Sequence, residues 1–198
     1  MVKFTGHVTI FRRRSEGKTN YKRRRGAVIS KKLMLYVFVS DKNITMQVIS
    51  PRPKGDLVLA SKTSKELLKF GWKLSRRSIP AAYLTGLLLG STAKQKNLGN
   101  AILYTNVKMY HASGRVASAL KGVLDAGFKL PVGEDSLPDD SRVSGEHIAA
   151  YAAQLKETDS EKYQRAFSGI LKAGVKPEDY RKHFEDVKAK ILEEKVEK

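Results

Sequence analysis

The chain of 198 residues contains no cysteine. That excludes disulfide bridges and thiolate metal clusters, and it accords with a reducing compartment. No apolar run reaches the roughly 18 residues a membrane-spanning helix needs. The first residues lack an apolar stretch followed by a small-residue cleavage site, so no secretory signal is expected. No internal repeat or low-complexity segment stands out. Acid is scarce in the first 128 residues, where Glu16, Asp41, Asp56, Glu66 and Asp125 are the whole supply. A metal nuclease needs three or four converging carboxylates, and the expected first strand has none, so that class of enzyme is disfavoured. The histidines at 7, 111, 147 and 183 have no metal-ligand spacing, and Glu146-His147 lacks the second histidine of a zinc protease signature. Gly17-Lys18-Thr19 imitates the end of a phosphate-binding loop, but the glycine required five positions earlier is Arg12.

Positive charge is what the chain has in excess, a net +18. Residues 1–32 carry eleven Lys and Arg against Glu16 alone, a net of +10. Residues 33–128 hold fourteen basic against four acidic residues, again +10, and residues 129–198 hold thirteen against fifteen, a net of −2. Charge segregated in this way gives the molecule one side suited to a polyanion.

The charge is densest in Phe11–Arg25, FRRRSEGKTNYKRRR. Arg12, Arg13, Arg14, Lys18, Lys22, Arg23, Arg24 and Arg25 cannot be buried without partners, but they can neutralise phosphates and release condensed counterions. Tyr21 offers a ring for stacking on an unpaired base or a sugar. Little in this arm can bury apolar area against its ordering entropy, roughly 1–2 kcal/mol per residue, so it is expected to order only on RNA.

With 41% hydrophobic residues the chain can build a modest core. Val2–Phe11 reads as an extended segment. Leu33–Ser40, Ile44–Ser50 and Leu57–Ala60 read as three strands of an antiparallel meander joined by the Asp41–Asn43 turn and a Pro-rich loop. Ser61 or Thr63 caps a helix to about Phe70, with Gly71 as its C-terminal glycine. Trp72, which could stack on a base but is expected instead to pack at this helix end, opens a basic loop. Ser78 then caps a largely apolar helix, PAAYLTGLLLGSTAKQK, whose Gly86 and Gly90 predict close packing on the sheet. Ala101–Thr105 reads as a fourth strand, Ser113 or Gly114 starts a helix through Ala126, and Phe128–Leu130 reads as a short fifth strand. Residues 132–142 form an acidic linker. Helical patterns follow over 144–155, over 158–174 behind a capping box, and from Pro177 onward with Tyr180, Phe184, Val187 and Ile191 on one side. The expected class is α/β: an antiparallel meander plus parallel crossovers, in the order of a ribonuclease H-like motif. The division is a basic arm at 1–32, a core at 33–131 and a helical extension at 132–198.

FRRRxEGKTNYxxR, PKGD at 53–56, KFGWK at 69–73, PAAYLTGLL at 80–88, GRVxxALKGxLDAG at 114–127 and LPDDSRVSGEHIA at 137–149 occur in this order. Together they resemble the archaeal and eukaryotic large-subunit ribosomal proteins that bind 5S rRNA, over most of residues 11–149. The resemblance implies a non-catalytic ribonuclease H-like core in the ribosomal central protuberance. It also implies contacts to 5S and 23S rRNA, a neighbouring 5S-associated protein, a cytoplasmic ribosomal location, and neither a cofactor nor a small-molecule substrate. Where family members place Arg-Lys or Arg-Phe at the end of the first strand, this chain has Phe38-Val39-Ser40-Asp41, so that strand is left out of the RNA-binding set. The set comprises the eight arm cations with Thr19, Asn20 and Tyr21, then Lys54, Lys73, Arg76 and Arg77 in expected loops, and Arg115 and Lys121 on a helix. A non-ribosomal RNA-binding or assembly factor of the same fold is the alternative.

Overall fold

The computed structural model describes residues 9–105 and 110–193; the expected extended segment therefore lies largely outside the described residues, as does part of the 106–113 loop. β1 (Leu33–Val39), β2 (Ile44–Ser50) and β3 (Leu57–Thr63) form the expected antiparallel meander, and β4 (Ala101–Tyr104) lies parallel to β1. The sheet order is β3-β2-β1-β4. A register shift between Val48 and Ile49 marks a bulge against β3. Residues 64–70 form a 3-10 helix rather than an α-helix; Glu66 accepts from the Thr63 backbone N–H at 3.1 Å, and Gly71 closes the turn at φ +86°. Residues 128–130 are not a strand. Between Gly127 (φ +87°) and Pro131, which lacks an N–H, one ladder bond forms, from Ala101 N–H to Lys129 O at 3.4 Å. Phe128 turns into the core instead.

The centre of the molecule is α3 (Ile79–Gln95), capped by Ser78, whose hydroxyl accepts from the Ala81 N–H. An α-helix apolar all round requires cover on every side. One side meets the sheet through Leu35, Val37, Met46 and Val48. Another meets α4 (Arg115–Asp125), and a third meets Trp72 and the tail. The α3–α4 contact is made backbone to backbone. A Cβ on Gly86 would stand 2.1 Å from Ala119 O, one on Gly122 the same distance from Tyr83 O, and one on Gly90 2.9 Å from Val123 O. The glycine pair therefore packs α3 on α4, not on the sheet as its spacing suggested, because glycine is needed where two main chains meet.

The tail is helical: α5 (Asp140–Ser144), α6 (Glu146–Thr158), α7 (Ser160–Ala166), α8 (Ser168–Lys172) and α9 (Tyr180–Glu193). The expected linker ends early, since α5 begins inside it, and the expected 158–174 helix breaks at Phe167 into α7 and α8. Asp159 caps α7 by accepting from Lys162 N–H. Tyr180, Phe184, Val187 and Ile191 are buried against Trp72, Tyr83, Leu84 and Leu87. The tail thus belongs to the core.

Gly86→Ala should destabilise the protein by about 1–3 kcal/mol or more, because backbone rather than a flexible side chain must move. Gly169→Ala, with nothing within 4 Å of its added methyl, should be neutral or stabilising by up to about 1 kcal/mol. Urea unfolding of both variants checks the contrast.

Candidate nucleic-acid interface

The arm is folded, contrary to the expectation that it orders only on RNA. α1 (Arg12–Ser15) is followed by Glu16 and then Gly17, whose φ of +63° reverses the chain. The N–H groups of Lys18 and Thr19 then both donate to Arg13 O, at 2.9 and 3.1 Å. Arg13 Nε donates to Thr19 Oγ1 at 2.8 Å, closing the turn with a side chain. Asn20 Oδ1 accepts from Arg23 N–H at 3.1 Å and caps α2 (Tyr21–Ser30). The Phe11 and Tyr21 rings stand 4.9 Å apart, so Tyr21 is half-buried against the arm itself. A cleft of about 350 Å³ between Arg14, Gly17, Thr19, Asn20, Tyr21 and Lys22 lies within this turn.

Docking explains why the arm holds its shape. Arg24 forms an ion pair with Asp56 and donates to Arg52 O at 3.2 Å, and Arg23 Nη1 donates to Thr105 Oγ1 at 3.3 Å. Ala27 is buried with Met34 and Ile49 on the sheet face opposite α3 and α4. Asp56 hydrogen-bonds the Arg24 guanidinium and raises its pKa. No local pattern marked Asp56, a loop acid among basic residues, as the anchor of the arm.

Glu16 pairs with Arg12 at 2.8 Å and Lys18 at 2.7 Å, and these bonds lower its pKa. Arg12, Arg13, Arg14, Lys18, Lys22, Arg23 and Arg25 remain exposed, while Arg24, Thr19 and Asn20 are half-buried. The first turn of α2 holds no acid, and Lys22 and Arg23 sit at the positive end of its dipole. That placement is unfavourable alone and becomes favourable beside an anion.

The remaining expected residues fall into two places and one exception. Lys54 is exposed on the 51–56 loop, next to the arm's Asp56 anchor. α3 and α4 run parallel, with Ser118 Oγ donating to Ile79 O at 3.0 Å. Arg76 and Arg77, just before α3, and Arg115, at the start of α4, therefore share one end of the helix pair. Lys73 lies exposed in the same loop, and its N–H donates to His183 Nε2 at 3.3 Å. Lys121 is the exception. It pairs with Asp140 and donates to Pro138 O at 2.7 Å, tying α4 to the start of α5 and lowering the pKa of Asp140.

Trp72 is 1% exposed and is not a stacking surface for RNA; it donates from Nε1 to Ser75 O and stacks on His183 at 5.3 Å. Burial lowers the pKa of His183, with Lys73 and Lys190 adding to the effect and Asp186 opposing it. Burial likewise pushes the Tyr180 hydroxyl up to about 12. Among the described residues no group of three or more His, Cys, Asp or Glu could hold a metal ion, and no helix is long and apolar enough to cross a membrane.

A protein family described as "Ribosomal large subunit proteins 60S L5, and 50S L18" matches residues 7–129. The chain is similar to the large ribosomal subunit protein uL18 of Thermofilum pendens, with 47% identity over 92% of this chain and 93% of that protein. It is also similar to the uL18 of Ignicoccus hospitalis, with 48% identity over 94% and 92% of the two chains. The uL18 of Caldivirga maquilingensis is 45% identical over 92% and 89%.

Asp56→Asn should loosen α2 by on the order of 1 kcal/mol, raising local opening about fivefold. Trypsin cleavage after Arg23 to Arg25 should accelerate accordingly, while cleavage in the tail stays unchanged. His183 favours its neutral form in the fold. Its contribution is therefore complete above about pH 6.5 and is lost as pH falls through its depressed folded value. Between about pH 7 and pH 5, the native chain should lose more stability in urea than His183→Gln, which keeps an acceptor for Lys73 N–H.

Proposed function

The chain belongs to the family of ribosomal large-subunit proteins that comprises 60S L5 and 50S L18, and on that premise we propose that it binds 5S rRNA and 23S rRNA in the central protuberance. It is a structural constituent of the large subunit of the cytoplasmic ribosome, of the archaeal type, and not an enzyme. The observation that carries the RNA reading is the folded arm. It is held by one acid, Asp56, while seven of its cations stay exposed on a single turn-and-helix unit. Such a unit presents phosphate-binding groups in fixed positions, so less ordering entropy opposes binding than for a coil.

Arg12–Arg14, Arg23 and Arg25 make sequence-blind phosphate contacts in this reading, while Arg24 anchors the arm through Asp56. The fixed loops carrying Lys54 and Lys73, Arg76 and Arg77, with Arg115, select RNA shape, because only rigid elements can measure geometry. The sheet order β3-β2-β1-β4 with its parallel crossover supports a ribonuclease H-like core in residues 33–131, between an arm at 1–32 and an extension at 132–198. The near-neutral extension suits a neighbouring 5S-associated protein better than RNA. Lys121, committed to Asp140, contributes to RNA binding by holding α4 in place.

Binding isotherms on 5S rRNA test the reading. With about six phosphates contacted, affinity should fall by about two to three decades between about 50 and 200 mM salt. Neutralising Arg12–Arg14, or Arg23 and Arg25 with Arg24 kept as the anchor, should weaken 5S rRNA and an unrelated hairpin alike and flatten the salt dependence. A flat titration of the native chain would sink the phosphate account. A pool of the protein that fails to sediment with large subunits would favour an assembly factor.

A further inference from the structure

The face of the sheet turned away from α3 carries aromatic rings where water-facing strand positions ordinarily carry polar side chains. β1 alternates, so Leu35 and Val37 enter the core while Tyr36 and Phe38 lie on the other face. Tyr36 and Phe38 stand 6.4 Å apart with planes 19° from parallel. The parallel register of β1 and β4 sets Tyr104 opposite Tyr36, with ring centres 6.3 Å apart. Phe38 is 42% exposed, and both tyrosines are half-buried. The row therefore crosses two strands and becomes more open towards Phe38.

Its surroundings indicate what it fits. The folded arm lies over one end of the same face. Arg13, Lys18 and Arg24 of the arm, with Tyr36, Gln47 and Tyr104 of the sheet, line a cleft of about 280 Å³. Cations border the rings on the arm side, and Asp41 follows β1 at the other end. A polyanion backbone is drawn to the arm, whereas the Asp41-Lys42 turn beside the Phe38 end carries no net charge, so what Phe38 offers is the flat face of its ring. Cross-strand partners Thr45 and Gln47 are polar side chains suited to bonding base edges.

We propose that Phe38, Tyr36 and Tyr104 form a stacking platform for unpaired nucleobases of the same RNA whose phosphates the arm holds. The platform rests on the RNA-binding reading and extends it to a surface outside the basic set. Stacking is tolerant of base identity, whereas bases inside an A-form duplex are already stacked and cannot reach it. The platform thus reads whether nucleotides next to the arm's phosphates are unpaired.

Two RNA probes separate the possibilities: a single-stranded oligonucleotide of roughly a dozen nucleotides and a fully paired duplex of equal charge. Phe38→Leu and Tyr104→Leu keep apolar volume and remove the ring face, and thermal melting verifies their fold. Each should weaken the single strand about five- to a hundredfold and change the duplex less than about twofold. Neutralising Arg12–Arg14 should weaken both probes, which identifies the arm's contribution separately. Equal loss on both probes in the leucine variants would show that the rings only pack the arm, and no loss on either would remove them from the interface; each result overturns the platform and leaves the arm's role intact. A native chain that binds neither probe overturns the RNA reading and the platform with it.

Discussion

The contact between α3 and α4 is the constraint from which the rest of the architecture follows. Two helices whose backbones touch at Gly86, Gly90 and Gly122 occupy less space than two helices separated by side chains. That closeness lets one helix pair cover a sheet of four strands and lets α3 present its remaining sides to the 3-10 turn and to α9. It also fixes the parallel alignment that gathers Arg76, Arg77 and Arg115 at one end. A helix pair held by main-chain contact has little freedom to slide, so the loops it carries keep their spacing. Tyr83 belongs to the same unit: its hydroxyl donates to Asp125 at 2.7 Å, and burial together with that bond raises its pKa. The hydroxyl of a ring packed against α9 thereby finds its partner on α4.

A second constraint is electrostatic. Residues 1–128 carry almost no acid, so the arm's cations repel one another and the core alike. Two of the few acids answer this locally. Glu16 bridges Arg12 and Lys18 within the turn, in a fully solvated setting where such pairs contribute little. Asp56 is less exposed and acts between elements, joining α2 to the start of β3. One partly shielded ion pair, two further arginine hydrogen bonds, to Arg52 O and Thr105, and one small apolar contact at Ala27 hold the arm. That suffices to set its shape, and it leaves the repulsion among the other cations for a polyanion to relieve.

The parts of this structure legible in the sequence are those written in local pattern. The meander followed from three short strand-like runs, the ends of the 64–70 turn and of α4 from glycines at their C-termini, and the start of α3 from Ser78 and Pro80. The apolar stripe on α9 marked the residues it buries. What was hidden depends on partners distant in sequence. Gly86 and Gly90 announced a close approach without saying to what. Asp56 looked like any loop acid until Arg24 met it. The arm's composition argued for a coil because its stabilising contacts lie in other segments. The aromatic face was masked by the neighbouring core face: when both sides of a strand are apolar, LMLYVFV reads as one continuous run, and the alternation that separates Tyr36 and Phe38 from Leu35 and Val37 disappears.

That masking bears on how arm and sheet cooperate. A row of rings on an open sheet face is exposed apolar surface, which a lone domain has reason to avoid. Here α2 covers one end of the face through Ala27, Met34 and Ile49, and its arginines reach across to Thr105 and Asp56 at different edges of the sheet. The arm therefore shields part of the apolar face and places cations at the border of what it leaves open. Removing the arm's anchor would expose more of the face and scatter the charges beside it. The same few contacts thus determine both where the positive charge sits and how much aromatic surface is available next to it, so neither feature of the interface can change without the other.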